Sequence, residues 1–163
     1  MKRIYFVRHG ESESNATRTT RGSVTPLTEK GRQQARKTAL RFLSIDPEVI
    51  LTSPYPRALE TAQIIAGLTG KPVEECASMH ESIKPSSFIG MRVHAPERKQ
   101  AEAVYYEHLL ADDRTYRHSN EESFKDLLLR ATEALRYLEL RPESHIAVVT
   151  HGTFLRFLHS YMT

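Results

Sequence analysis

Two histidines, each followed by glycine at the end of an apolar run, are the side chains of this sequence best suited to chemistry. Arg8-His9-Gly10-Glu11-Ser12 follows Ile4-Tyr5-Phe6-Val7, and His151-Gly152 follows Ile146-Ala147-Val148-Val149-Thr150. Imidazole changes charge near neutral pH and serves as nucleophile, base or donor. Arg8 adds a planar fork that matches phosphate oxygens. A lone histidine at a strand end is usually a hydrogen-bonded structural residue. Two matched ones, if their strands lie parallel and adjacent, bring two rings to one spot. Gly10 would let the backbone come close to whatever sits there.

A third cationic group follows a third apolar run. Glu48-Val49-Ile50-Leu51-Thr52 reads as a strand, and Ser53-Pro54 as an N-cap with proline at the first helical position. Arg57 then falls in the first turn of a helix running to about Leu68, where free N–H groups already favour an anion.

The elements that position these groups alternate. The runs at 4–7, 48–52 and 146–150 are short and β-rich, and Val73 to Ala77 adds a short fourth strand. Thr28 is a plausible N-cap for a helix whose Ala35, Ala39, Phe42 and Leu43 form an apolar stripe. Ala58, Ala62, Ile65 and Ala66 give the Arg57 helix its buried side. Met91 to Arg117 carries Ala101, Val104, Tyr105, His108 and Leu109 at helical spacing. From Ser119 another helix follows, with Phe124, Leu127, Leu128, Ala131, Leu135 and Leu138 as its stripe, until Arg141-Pro142 stops it. Thr153 to Met162 reads as the last helix. Residues 14–25 lack periodicity and read as a loop, whose Arg18, Arg21, Gly22 and Thr25 would wall a pocket for an anion. The pattern is that of an α/β fold with an open parallel sheet, which binds ligands at the carboxyl edge of its strands.

At 163 residues the chain reads as one domain, 1–163. A net charge of +3 permits an anionic substrate without arguing for nucleic acid. The single cysteine, Cys76, forbids an intrachain disulfide, and no Cys/His cluster has zinc spacing. The apolar stretch before Arg8 is too short for a signal-peptide core, and no segment approaches membrane-spanning length. The expectation is a soluble cytoplasmic protein without a nucleic-acid or membrane partner. Oligomeric state is not legible.

Arg8-His9-Gly10-Glu11-Ser12, with Asn15 six residues after His9, resembles the signature of the histidine phosphatase superfamily, in its phosphoglycerate-mutase-like branch. The string SPYPRALETA resembles that family's second motif, and Ser119-Asn120-Glu121-Glu122-Ser123 its Gly-Glu-Ser segment without the glycine. The resemblance implies a three-layer α/β/α sandwich, a mostly parallel sheet with helices on both faces. It also implies a small helical cap insertion, at about 84–118, that covers the pocket. His9 would attack phosphorus and carry the phosphoryl group, and Arg8, Arg57 and, if protonated, His151 would supply positive charge. An acidic residue after the Val73 strand would donate the proton. Glu81 is the best-placed candidate, with Glu74 and Glu75 as competitors, although the glycine and aromatic residues that commonly follow are replaced by residues 83–90. Asn15, Arg21, Gly22, Gly152 and Thr153 would contact the phosphate. No metal or other cofactor is expected.

The implied activity is hydrolysis of phosphomonoesters of small molecules through phospho-His9. A protein phosphohistidine phosphatase, a phosphoglycerate-mutase-type transferase and an inactive phosphate-binding module remain alternatives. Relatives usually continue through a final helix and strand beyond the point, about a dozen residues after His151, where this sequence stops.

Overall fold

The structure, a computed structural model, describes residues 1–162. The elements follow in the order β1 (Arg3–Arg8), α1 (Glu13–Thr17), α2 (Glu29–Ile45), β2 (Val49–Thr52), α3 (Pro56–Thr69) and β3 (Val73–Glu75), then α4 (Pro96–Leu110), α5 (Phe124–Leu140), β4 (His145–Thr150) and α6 (Gly152–Met162). Two single-turn 3-10 helices, Ala77–Met79 and Ser86–Phe88, lie between β3 and α4. The strands form one parallel sheet in the order β1-β4-β2-β3.

Alternation along the strands builds the three layers. Ile146 and Val148 face one side of β4 and pack with Leu127, Ala131, Leu138, Phe154 and Leu158 of α5 and α6. Ala147 and Val149 face the other side, toward Ala39 and Phe42 of α2 and Ala58, Ala62 and Ile65 of α3. β2 is buried throughout, as expected for an inner parallel strand with both faces covered, whereas β1 at the edge is only half-buried. The fold is therefore the α/β/α sandwich with helices on both faces of the sheet.

Several elements differ from their sequence reading, each for a local reason. Residues 13–17 are a short helix, not loop: Ser12 and Asn15 form a reciprocal capping box that periodicity does not register. The α3 proline at the first helical position is Pro56, with Tyr55 as N-cap, because Ser53 is turned inward instead. Leu43 is exposed: it lies about 100° around α2 from Phe42, beyond the covered stripe. β3 ends at Glu75, before the 3-10 turn at Ala77. α5 begins at Phe124 under a capping box of Ser123 and Asp126, so residues 119–122 precede the helix.

Within 84–118, α4 is shorter than the 91–117 expected and only its Ala101 is buried. This stretch is tied to the loop after α1: Gly90 N–H donates to the Thr20 carbonyl, Thr20 N–H to that of Met91, and Arg98 to the Thr20 hydroxyl.

Candidate active site

Parallel pairing of β1 with β4 sets Arg8 opposite Thr150. His9 N–H extends the ladder by donating to the Thr150 carbonyl at 3.0 Å. His9 and His151 thus leave adjacent strands at the same level, and their ring centroids are 5.0 Å apart. Arg57, in the first turn of α3, reaches the same spot: its Nε–H donates to His9 Nε2 at 3.2 Å. The carbonyls of Gly22 and Ser23 hold Arg57 Nη1.

The hydrogen bonds fix the state of His9. Its Nδ1–H donates to the carbonyl of Gly10 at 2.6 Å, so Nε2 carries the lone pair. Burial, the largest influence, lowers its pKa to about 4, and the charges of Arg57 and Arg8 add to the effect. The ring is neutral at pH 7, with its lone pair on Nε2.

His151 is held differently. Its Nε2 lies 2.8 Å from Ser53 Oγ, which also accepts the Tyr55 N–H. The Ser53 hydroxyl can donate its proton to Nε2, and in that arrangement the His151 proton sits on Nδ1. That nitrogen is buried and without a partner. Burial, then Arg57, then His9 lower the pKa of His151 to about 2. The sequence reading allowed His151 a positive charge. Burial favours the neutral ring instead, and in the Nδ1–H tautomer an oxyanion beside the His9 ring would satisfy the unpartnered nitrogen.

Glu81 lies against the start of α6. One carboxylate oxygen accepts the N–H groups of Ser82 and Phe154 at 2.9 and 3.0 Å, and the other accepts that of Thr153 at 3.2 Å. Its charge is also felt by Arg57 and Tyr55. Of its competitors, Glu74 pairs with Arg141 and Glu75 is an exposed residue at the end of β3.

The remaining expected residues fall into three groups. Arg8 is exposed, and Gly152 makes room for it: a β-carbon there would lie 3.2 Å from Arg8 Nε. Asn15 spends its side-chain carbonyl on Ser12, and with Arg8, His9, Gly10 and Glu11 it lines a hollow of about 350 Å³. That hollow opens on the α2 side, and Arg57, His151 and Glu81 are not among its walls.

Thr153, Arg21 and Gly22 are engaged elsewhere. The Thr153 N–H goes to Glu81, Arg21 pairs with Glu13 at the surface, and Gly22 contributes its carbonyl to Arg57. Gly10 does permit a close approach, but of another backbone: a β-carbon would sit 2.3 Å from the carbonyl oxygen of Gly31 in α2.

Three residues at the site had no signal in the sequence. Ser53 reads as a helix cap, yet it holds His151. Tyr55 stacks on His80 at 5.9 Å, and its ring lies 5.1 Å from both the His151 ring and the Arg57 guanidinium carbon. Thr61 accepts the N–H of Gly10 and fixes the turn after His9. Among the described residues no group of three or more His, Cys, Asp or Glu is placed to hold a metal ion, and no helix is long and apolar enough to cross a membrane.

Comparison with known proteins gives this geometry a family. The profile of the histidine phosphatase superfamily (branch 1) matches residues 4–163. "Probable phosphoglycerate mutase GpmB" of Cronobacter sakazakii is 34% identical over 162 residues, 98% of this chain and 74% of the relative. Its namesake from Photorhabdus laumondii is 49% identical over 71 residues, 43% of this chain and 33% of the relative.

Among solved structures, Bacillus stearothermophilus YhfR superposes with a TM-score of 0.79 at 31% identity, covering 97% of this chain and 78% of that one. A phosphoserine phosphatase from Entamoeba histolytica, solved with 3-phosphoglyceric acid, gives 0.74 at 25% identity, covering 96% and 77%. The chain belongs to the histidine phosphatase superfamily, branch 1, a fold and family of phosphatase- and mutase-type activity.

Proposed function

We propose that this chain is a metal-independent phosphomonoesterase that works through a phosphohistidine on His9. The observation that carries the reading is the state of that ring. Its Nδ1–H is held on the Gly10 carbonyl and its Nε2 lone pair is turned to Arg57. Nε2 attacks phosphorus, the ester P–O bond breaks, and the departing oxygen takes a proton from Glu81. Water then attacks the phosphoryl group, returns a proton to Glu81, and the P–N bond breaks to release phosphate. Arg57 and Arg8 bind the equatorial oxygens, and His151 Nδ1–H donates to a third position. Asn15 and the Gly152 N–H complete the phosphate contacts.

The substrate we place here is a phosphorylated small molecule, in the cytoplasm, and the chemistry calls on neither nucleic acid nor membrane. A mutase reading has support in the naming of the GpmB relatives. It shares phospho-His9 and differs only in the acceptor, a substrate hydroxyl in place of water.

Turnover of p-nitrophenyl phosphate in the presence of a chelator tests the proposal, together with labelling by phosphorylated substrate. Expected are chelator-resistant turnover and an acid-labile, base-stable label, both lost in His9→Ala. A fully active His9→Ala would misassign the nucleophile. Phosphoryl transfer to an added alcohol at the expense of water would favour the mutase. Tight phosphate binding without turnover of any phosphomonoester would leave only a binding module.

A further inference from the structure

The proton-transfer role given to Glu81 asks for a carboxyl group held to within a fraction of an ångström, yet Glu81 stands on a segment without strand or helix, between Met79 and Pro85. One side chain outside the reacting centre grips that segment. Arg130, on α5, donates through Nη1 to the carbonyls of Ser78 and His80, at 2.8 and 2.9 Å. Its Nε and Nη2 form a two-pronged pair with Glu122, at 2.7 and 2.8 Å, and both side chains are only 10% exposed. Glu122 in turn accepts the N–H of Ile83 at 3.0 Å. The pair thus holds the backbone on both sides of Glu81. The guanidinium also lies 4.3 Å over the ring of Phe154, whose N–H is one of the donors to the Glu81 carboxylate.

We infer that Arg130, with Glu122, is the positioning residue of the acid: it sets where the Glu81 carboxyl stands without touching substrate. This rests on the role assigned to Glu81 under the proposed function. A lysine cannot replace it, because one ammonium does not reproduce a planar fork that spans two carbonyls and a carboxylate. An alternative is that the pair only stabilises the fold, as buried ion pairs can. The two differ in a readout that foldedness does not touch, the dependence on the leaving group. A nitrophenolate departs without a proton, whereas an alkoxide requires one.

The test is single-turnover formation of the phosphoenzyme from p-nitrophenyl phosphate and from an alkyl phosphate, β-glycerophosphate, in wild type and in Arg130→Lys. Because a lone substitution also disturbs the buried ion pair with Glu122, the double variant Arg130→Met/Glu122→Gln, which removes both charges and keeps an acceptor for Ile83, is measured beside it. With a misplacement of about 1 Å costing on the order of 100-fold, alkyl-ester phosphorylation is expected to fall about 100-fold in both variants, and the aryl-ester step less than about threefold. Equal losses on the two substrates, or no loss on either, overturn the inference. A wild type that forms no phosphoenzyme from either ester overturns the proposed function first and this inference with it. Normal phosphoenzyme with leaving-group-blind Arg130 variants overturns the inference alone.

Discussion

The ends of β1 and β4 share a pattern, an apolar strand running into His-Gly, but not an environment. β1 is the half-buried edge strand, and its histidine bonds to the carbonyl of the next residue, which frees Nε2. β4 is buried between two strands, and its histidine bonds through Nε2 to Ser53 on a neighbouring segment, which frees Nδ1. One motif therefore yields two chemical characters, a lone pair on His9 and, in the tautomer to which Ser53 donates, an N–H on His151. The partner of the nitrogen not in use decides which.

The sharpest way to break this contrast is to delete each ring in turn. His9→Ala is expected to lower kcat by at least about 10⁴-fold, as removal of a nucleophile does, and to abolish the phosphoenzyme. His151→Ala removes one transition-state donor and should cost about 10²- to 10³-fold while leaving the phosphoenzyme detectable. Quenched-flow labelling of both variants decides. Equal losses with no label in either would make the rings equivalent.

Next in size is the pH dependence of stability. Both rings have folded pKa values below that of an unfolded histidine, about 4 for His9 and about 2 for His151. Below about pH 6.5 the unfolded chain binds protons at these rings and the native chain does not, so stability falls as pH falls. The slope from each ring is about 1.4 kcal/mol per pH unit; both act down to about pH 4, and below that only His151 does. Denaturant melts of His151→Gln between pH 6.5 and 4 should show a slope shallower by about that amount. An unchanged slope would mean the ring is not neutral in the fold.

The two glycines extend the comparison. Gly10→Ala drives a β-carbon into the Gly31 backbone, which cannot give, and should destabilise the fold by about 1–3 kcal/mol. Gly152→Ala meets only the flexible side chain of Arg8 and should melt like wild type, with the loss appearing in KM. Thermal melts and steady-state kinetics of the pair check this.

Smallest is Ser53→Ala. Without the hydroxyl, His151 can adopt the other tautomer, and kcat should fall about tenfold with little change in melting temperature. A loss as large as that of His151→Ala would mean that Ser53 itself meets the substrate.

The strands, Arg57 and both histidines were legible because each announces itself locally, as an apolar run, a helix start or a reactive side chain at the end of a strand. The capping boxes at Ser12 and Ser123 are equally local, yet they were hidden behind polar sequence without periodicity. Ser53 and Arg130 were not legible for a different reason. Their partners lie 98 residues away at His151 and 50 at His80, and nothing in a serine or an arginine states what will be folded against it. The neutrality of His151 belongs to the same class, since burial is a property of the whole sheet.

The contact between Arg57 and His9 ties two choices made far apart in the chain to one direction in space. Because Arg57 Nε–H points at His9 Nε2, guanidinium and imidazole converge on one line, and a phosphate seated between them would meet both at once. A lysine at position 57 would bring charge to that place without the directed N–H.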